Sequence, residues 1–214
     1  MSKRTIVLSI VILAMIGFAT AAYLYTGTVE KKVPQEAIPG AGNLVRFHSP
    51  TFGPANAPVT VVEFFDPSCE SCRAFYPIVK DMMAKNPDSI RLVMRYVLLH
   101  AGSEQAVRLL EASRKQGVFP QVLEAVLESQ PAWHDDPQVV KAWEAAETAG
   151  LDVAKAREEM MSAKINAVIA QDTADAKAVG VSGTPTFFVN GKPLASFGAQ
   201  PLYDLIKSEM AQSK

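Results

Sequence analysis

The sequence predicts an α/β domain behind an N-terminal apolar segment, and three features of the chain point to that class. The run Val59–Phe65 is almost entirely β-branched or aromatic, which is typical of a buried central strand. A helical segment and a second apolar run, Ile90–Val97, follow at the spacing of a βαβ unit, so these two strands should be parallel. Near the end of the chain, Thr186–Val189 precedes the turn Asn190-Gly191, which predicts an antiparallel hairpin.

The composition is that of a globular protein and excludes several functional classes. The chain has 214 residues, of which 49% are hydrophobic and 20% charged, enough to build the core of one folded domain with an appendage. The formal net charge of -1 gives no general attraction to nucleic acid or anionic lipid. Two cysteines exclude both a disulfide-rich scaffold and a zinc site built only from cysteines.

The N-terminus has the layout of an export signal. Lys3 and Arg4 precede the apolar run Ile6–Leu24, which is roughly 19 residues long and close to the ~20 that span a bilayer. Ala19-Thr20-Ala21 resembles a cleavage site, so residues 1–28 are a signal peptide or, as the length of the run favours, a membrane anchor. Under either interpretation the rest of the chain is exported to a periplasmic or other extracytoplasmic, oxidising compartment.

Residues 29–43 are expected to be a linker, because they mix charges, prolines and glycines without apolar periodicity. The folded domain should then cover residues 44–214, with Leu44–Phe47 as a short edge strand. Apolar spacing predicts further helices, and those between the second strand and the final hairpin form a helical insertion over about 101–163. The remaining predicted elements are a helix over Ser71–Lys85 interrupted at Pro77, helices around Ala106–Ser113, Phe119–Leu127, Val139–Trp143 and Ile165–Val179, a returning strand Lys192–Ala195 and a closing helix around Leu202–Met210.

Both cysteines lie in the motif Cys69-Glu70-Ser71-Cys72, between the first strand and the helix that follows it. A helix N-terminus carries partial positive charge and free N–H groups, which lower the pKa of a thiol. Cys69, at the tip, is therefore the predicted nucleophile, and Cys72, one turn further on, should resolve mixed disulfides. A structural disulfide without turnover and a metal site are the alternatives, although two thiolates supply only half of a tetrahedral shell.

A second motif, Val181-Ser182-Gly183-Thr184-Pro185-Thr186, places an X-Pro bond directly before the hairpin strand. With the C-x-x-C motif, it makes the chain from Val59 onward resemble the DsbA-like thiol:disulfide oxidoreductases of the thioredoxin superfamily. The resemblance implies a thioredoxin-like fold, a central mixed sheet flanked by helices, with a helical insertion. It also implies that Pro185 is cis and that Thr184 and Pro185 bind the partner peptide.

The resemblance extends to Glu63, six residues before Cys69 within an otherwise apolar strand. It matches a buried carboxylate that moves protons when Cys72 attacks, whereas a plainer interpretation is a strand-edge glutamate that faces solvent. Glu70 and Ser71 depart from the Pro-His and Gly-Pro pairs more familiar in the family, and are expected to tune the redox chemistry. A carboxylate beside Cys69 should disfavour its thiolate and make the disulfide less oxidising.

The function implied is that of an exported enzyme that exchanges disulfides with cysteine-containing exported proteins, as in oxidative protein folding. No bound cofactor or metal is expected, since the redox-active disulfide Cys69–Cys72 carries the electrons. The expected partners are a membrane redox protein, either a quinone-linked oxidase or a thiol reductant donor, and the membrane itself through the N-terminal segment, with no nucleic acid. The alternatives are a reductase or isomerase kept reduced by a membrane donor, and a copper- or metal-binding thioredoxin-like protein. His100 could also approach the site, although a lone histidine more often has a structural role.

Overall fold

The computed structural model describes residues 13–18, 20, 42 and 44–213. The chain divides into two units, residues 1–36 and 37–214, and residues 13–18 of the first unit are helical. Most of the predicted signal peptide or anchor, 1–28, and most of the predicted linker, 29–43, lie outside the described residues. Within the described ranges, no helix is long and apolar enough to cross a membrane.

The second unit contains five strands and seven α-helices within its described residues, 44–213. The elements are β1 (Thr51–Phe52), β2 (Val59–Phe65), α1 (Glu70–Lys85), β3 (Ile90–Tyr96), α2 (Ser103–Gln116), α3 (Phe119–Ser129), a 3₁₀ turn (Gln130–Ala132), α4 (Val140–Thr148), α5 (Val153–Glu159), α6 (Ala163–Ala178), β4 (Thr186–Val189), β5 (Lys192–Pro193) and α7 (Ala199–Gln212). Helices α2 to α5 occupy the predicted insertion between the second long strand and α6. The short helix α5 was not predicted, although Asp152 marks its start by accepting the N–H of Lys155.

The five strands form one mixed sheet in the order β1-β3-β2-β4-β5. The central strands β2 and β3 are parallel, with Val59 opposite Ile90, and β4 runs antiparallel to β2. The α/β class, the mixed sheet and the parallel βαβ unit are therefore confirmed. The two faces of the sheet follow from the two-residue period of a strand.

Side chains at alternate positions of β2 pack into two hydrophobic cores, one on each face of the sheet. Val61 and Phe65 pack with α1, both cysteines and the insertion, whereas Val62 and Phe64 pack with α6 on the opposite face. Glu63 has the parity of Val61 and Phe65 and so belongs to the face that carries the cysteines. The position of this carboxyl group beneath α1 is thus set by strand periodicity.

Two predicted strands differ from the structure. Leu44–Phe47 is not a strand; the edge strand is β1, and the guanidinium of Arg95 instead donates to the Leu44 carbonyl at 2.8 Å. The returning strand β5 covers only Lys192–Pro193 rather than reaching Ala195, because a proline has no N–H to extend a ladder. Helix α1 continues through Pro77, so the interruption predicted there is also wrong.

Candidate active site

The Cys69-Glu70-Ser71-Cys72 motif lies where β2 leads into α1. Cys69 is the N-cap residue of α1 with extended backbone angles, φ -78° and ψ 121°, and Cys72 lies in the first turn. Cys72 is completely buried, whereas Cys69 keeps 7% of its surface exposed, so only Cys69 is open to attack from outside. Both cysteines are free thiols in this structure.

The Thr184-Pro185 segment lies directly against the nucleophilic cysteine. The Cys69 Sγ atom is 3.2 Å from the backbone oxygen of Thr184, a residue 115 positions away in the chain. The peptide bond between Thr184 and Pro185 is cis. The fold thus brings together the two motifs that the sequence keeps far apart.

The environment of the two thiols separates their acidities. The pKa of Cys69 is lowered to about 5, mainly by a hydrogen bond from the Cys72 thiol. Thr184 and the backbone N–H groups of Cys72 and Ser71 also lower it, whereas burial acts in the opposite direction. Burial, the hydrogen bond to Cys69 and the nearby Glu63 raise the pKa of Cys72 far above its ordinary value. At neutral pH the arrangement therefore holds a thiolate on Cys69 and a protonated thiol on Cys72.

Glu63 lies buried behind the cysteine pair rather than facing solvent. Its side chain is 1% exposed, and neither carboxyl oxygen has a hydrogen-bond partner within the described part of the chain. Burial, and then the charge on Cys69, raise the pKa of Glu63 to about 8. At neutral pH the group is therefore a protonated acid, and its ionised form raises the pKa of Cys72.

The dipeptide between the cysteines is solvent-exposed. The Glu70 carboxylate is 70% exposed, and its Oε1 atom lies 3.8 Å from Nε2 of His134, which comes from the insertion. The pKa of Cys69 is lowered through the contacts named above, and the expected repulsion from the Glu70 carboxylate stays a prediction. Ser71 contributes its backbone N–H to that lowering.

Two buried polar residues beside the motif were not singled out from the sequence. Asp66, in the turn before α1, is fully buried and accepts several hydrogen bonds, including one from Ser103 at 2.8 Å. Gln130, also fully buried, donates from Nε2 to the carbonyl oxygens of Pro67 at 2.7 Å and Cys69 at 3.0 Å. A charged residue directly after a buried strand was a usable signal for Asp66. The sequence around Gln130 carries no comparable signal.

The two tryptophans pack within the insertion, with Trp133 1% and Trp143 4% exposed. His100 lies beside Asp66, with Nδ1 at 2.8 Å from Oδ2 of that carboxylate. Among the described residues, no group of three or more histidine, cysteine, aspartate or glutamate side chains is arranged to hold a metal ion.

A C-x-x-C pair at a helix N-terminus, facing an X-Pro segment on a mixed α/β sheet, defines the class of thiol:disulfide oxidoreductases with a thioredoxin-like fold. The family model described as Thioredoxin matches residues 47–207, and the chain belongs to this family, as a DsbA-like member.

Curated relatives of two kinds match the chain. The thiol:disulfide interchange protein DsbA of Bordetella parapertussis is 25% identical over 166 residues, which cover 76% of this chain and 78% of that protein. The Na(+)/H(+) antiporter NhaA 3 of Salinispora tropica is 36% identical over 143 residues, or 65% of this chain. The match spans only 21% of the length of that antiporter.

Solved structures share the fold over most of the chain. A thioredoxin-like oxidoreductase from Silicibacter pomeroyi DSS-3 has 29% identity and a TM-score of 0.68, covering 77% of this chain and 92% of its own. BdbD from Bacillus subtilis, at 23% identity, has a TM-score of 0.68 and covers 82% of this chain and 97% of its own. The predicted thioredoxin-like fold and the predicted enzyme class are thereby confirmed.

Proposed function

We propose that this protein exchanges disulfides with exported, cysteine-containing proteins through Cys69 and Cys72, and that it acts as an oxidant in their folding. The observation that carries the proposal is the asymmetry of the two thiols. Cys69 is accessible and has a pKa of about 5, whereas Cys72 is buried with a raised pKa. A structural disulfide needs no such difference in acidity or access.

In the oxidising direction, a client thiolate attacks the Cys69 sulfur of the Cys69–Cys72 disulfide. A bond forms between the client sulfur and Cys69, the Cys69–Cys72 bond breaks, and its electron pair remains on Cys72. Glu63, a neutral acid below pH of about 8, supplies a proton to that buried sulfur. A second client thiolate then attacks the client sulfur of the mixed disulfide, which releases the oxidised client and leaves Cys69 as a thiolate.

The low pKa of Cys69 favours the oxidising direction over the reducing one. Every interaction that stabilises the Cys69 thiolate stabilises the reduced enzyme, and a stable reduced form makes the disulfide a stronger oxidant. The contact of the Thr184 backbone oxygen with Cys69 Sγ, at 3.2 Å, supports a role for this segment in holding a client next to the sulfur. Thr184 and Pro185 are accordingly proposed to bind the extended client peptide.

The export-like N-terminus supports an extracytoplasmic location, with residues 1–28 as signal peptide or anchor and 29–43 as linker to the catalytic domain. After each client oxidation the cysteines must be reoxidised, so the proposal includes a membrane redox partner linked to quinone. A reductase or isomerase would instead need a thiol donor at the membrane. The redox-active pair serves in place of a bound cofactor.

Trapping of mixed disulfides tests the division of labour between the cysteines. The full-length Cys72→Ala variant, expressed with its natural export segment, should accumulate mixed disulfides with client proteins, because Cys72 can no longer attack the mixed disulfide at Cys69 and release the client. The Cys69→Ala variant is the matched control and should trap few. Equal trapping by both variants, or by neither, would contradict the proposed exchange and favour a structural or metal-binding pair.

The reduction potential tests the direction of electron flow. We expect equilibration with glutathione to give a value closer to that of DsbA, about -120 mV, than to that of thioredoxin, about -270 mV. A value near the thioredoxin end would reverse the assignment and support the reductase alternative.

A further inference from the structure

The turn between β2 and α1 contains a buried carboxylate that the exchange mechanism above does not use. Asp66 is 0% exposed, and its Oδ1 atom accepts the N–H of Ser68 at 2.9 Å. Its Oδ2 atom accepts the N–H of Leu99 at 2.9 Å and the hydroxyl of Ser103 at 2.8 Å, and lies 2.8 Å from Nδ1 of His100. The carboxylate thus ties the turn that precedes Cys69 to the start of α2.

The backbone of the same residue faces the resolving cysteine. The Asp66 N–H donates to Cys72 Sγ at 3.5 Å, and this hydrogen bond acts to lower the pKa of Cys72. Burial, Cys69 and Glu63 all act in the opposite direction. The Asp66 N–H is therefore the contact that favours negative charge on a sulfur otherwise surrounded by groups that disfavour it.

Negative charge develops on this sulfur during the exchange reaction, because Cys72 is the leaving group when a thiolate attacks Cys69. In a buried site, a hydrogen-bond donor fixed in advance stabilises developing charge more effectively than solvent does. We propose that Asp66 is a positioning residue whose carboxylate anchors the turn and so holds its own N–H on the Cys72 leaving group. This inference rests on the proposed disulfide exchange.

The substitution Asp66→Asn separates positioning from charge. An asparagine oxygen can still accept the Ser68 N–H, but the amide nitrogen cannot accept the hydrogen bonds that Leu99 and Ser103 now donate. If the carboxylate positions the N–H, the loosened turn should slow the departure of Cys72. If it acted only through its negative charge, removing that charge would favour the Cys72 thiolate and speed the reaction. The two accounts predict opposite signs.

The experiment measures how fast reduced glutathione opens the Cys69–Cys72 disulfide in the full-length protein, with mixed disulfide quantified by acid quench and mass spectrometry. We expect Asp66→Asn to slow opening about tenfold, the loss typical of a weakened hydrogen bond to a charged group. Asp152→Asn, which changes the N-cap of the remote helix α5 in the same chemical way, is the matched control and should react at the wild-type rate.

A second readout distinguishes leaving-group stabilisation from general damage to the site. In a Cys72→Ala background, the pH midpoint of Cys69 alkylation by iodoacetamide should be the same with Asp66 and with Asn at this position, because the Asp66 N–H bonds Cys72 and not Cys69. The inference would be overturned if Asp66→Asn left the rate of disulfide opening unchanged or increased it. It would also be overturned if slower opening came with a shift in the pH midpoint of Cys69 alkylation.

Ser103→Ala and His100→Ala keep the inference testable where Asp66→Asn does not fold. Each removes one contact to Oδ2 and leaves the carboxylate in place, so opening should slow about two- to threefold. Wild-type rates in both variants would overturn the inference. Failure of wild-type protein to form a glutathione mixed disulfide at Cys69 would instead refute the proposed function.

Discussion

The buried acid Glu63 should make the stability of the reduced protein depend on pH in a way that the Glu63→Gln variant removes. The pKa of this carboxyl group is about 8 in the folded protein and about 4.5 when unfolded. Between these values the folded protein binds a proton that the unfolded chain has lost, so the free energy of unfolding falls as pH rises from about 4.5 to about 8. Below that window both states are protonated and Glu63 has no effect on the free energy of unfolding. Above the window the decrease in the free energy of unfolding is complete.

The size of the effect follows from the width of the window. Each unit of pKa difference between the folded and unfolded states corresponds to about 1.4 kcal/mol. The carboxyl group therefore lowers the free energy of unfolding by less than about 1 kcal/mol at pH 5 and by about 3 kcal/mol at pH 7. A buried glutamine amide adds an offset that does not change with pH. The free energy of unfolding of Glu63→Gln minus that of wild type should therefore increase by about 2 to 3 kcal/mol between pH 5 and pH 7.

Urea denaturation of reduced wild-type and Glu63→Gln protein at pH 5, 6, 7 and 8 checks this result. The titration of Cys69 occurs in both proteins and largely cancels in the difference. Glu128→Gln, an exposed substitution on α3, is the control and should follow the wild-type curve at each pH. A difference between wild type and Glu63→Gln that stays constant over this range would refute the assignment of a buried, protonated acid.

Further predictions concern the nucleophile, its neighbour Glu70, the buried ion pair between Arg95 and Asp172, and the topology. Alkylation of Cys69 should reach half its maximal rate near pH 5, and the midpoint should rise in Cys72→Ala because the hydrogen bond from Cys72 is the largest cause of the low pKa; an unchanged midpoint would contradict that cause. Glu70→His and, less strongly, Glu70→Gln should make the disulfide more oxidising, by less than about 30 mV in glutathione equilibria because the carboxylate is 70% exposed; a more reducing value would contradict the expected repulsion. Arg95→Ala should lower stability to urea by about 3 to 5 kcal/mol, since it leaves the buried Asp172 carboxylate without a cation that now lies at 2.8 Å; a loss below about 1 kcal/mol would show that the network is dispensable. An alkaline phosphatase fusion after residue 45 should be active, whereas an inactive fusion with an active cytoplasmic reporter at the same point would refute export.

Local sequence patterns predicted much of the active site. The alternation in β2 was enough to place Glu63 on the same face as Val61 and Phe65, and that face is where α1 packs. The spacing of the C-x-x-C motif put one thiol at the helix tip and the other a turn inside it. The sequence could not decide whether Glu63 faced solvent, because strand parity names a face and not what covers it.

Other features depended on residues distant in the chain. Leu44–Phe47 has the apolar content of a strand, yet the Leu44 carbonyl is bound by Arg95, 51 positions away. Glu70 is next to Cys69 in the sequence, which predicts that its carboxylate tunes the redox chemistry by repelling the Cys69 thiolate. The structure adds that its side chain extends into solvent toward His134 of the insertion, where its charge is screened.

By itself the sequence determined the α/β class, the parallel strand pair, the hairpin and the two thiols at a helix N-terminus, because each depends on local periodicity or on backbone groups within a few residues. The tertiary structure decided that the Thr184 carbonyl contacts Cys69, that Glu63 is buried, and that Asp66 links the turn before Cys69 to α2. These properties depend on which distant atoms exclude water from a group or donate hydrogen bonds to it. Only packing of the whole chain fixes those neighbours, and with them the acidity of each sulfur.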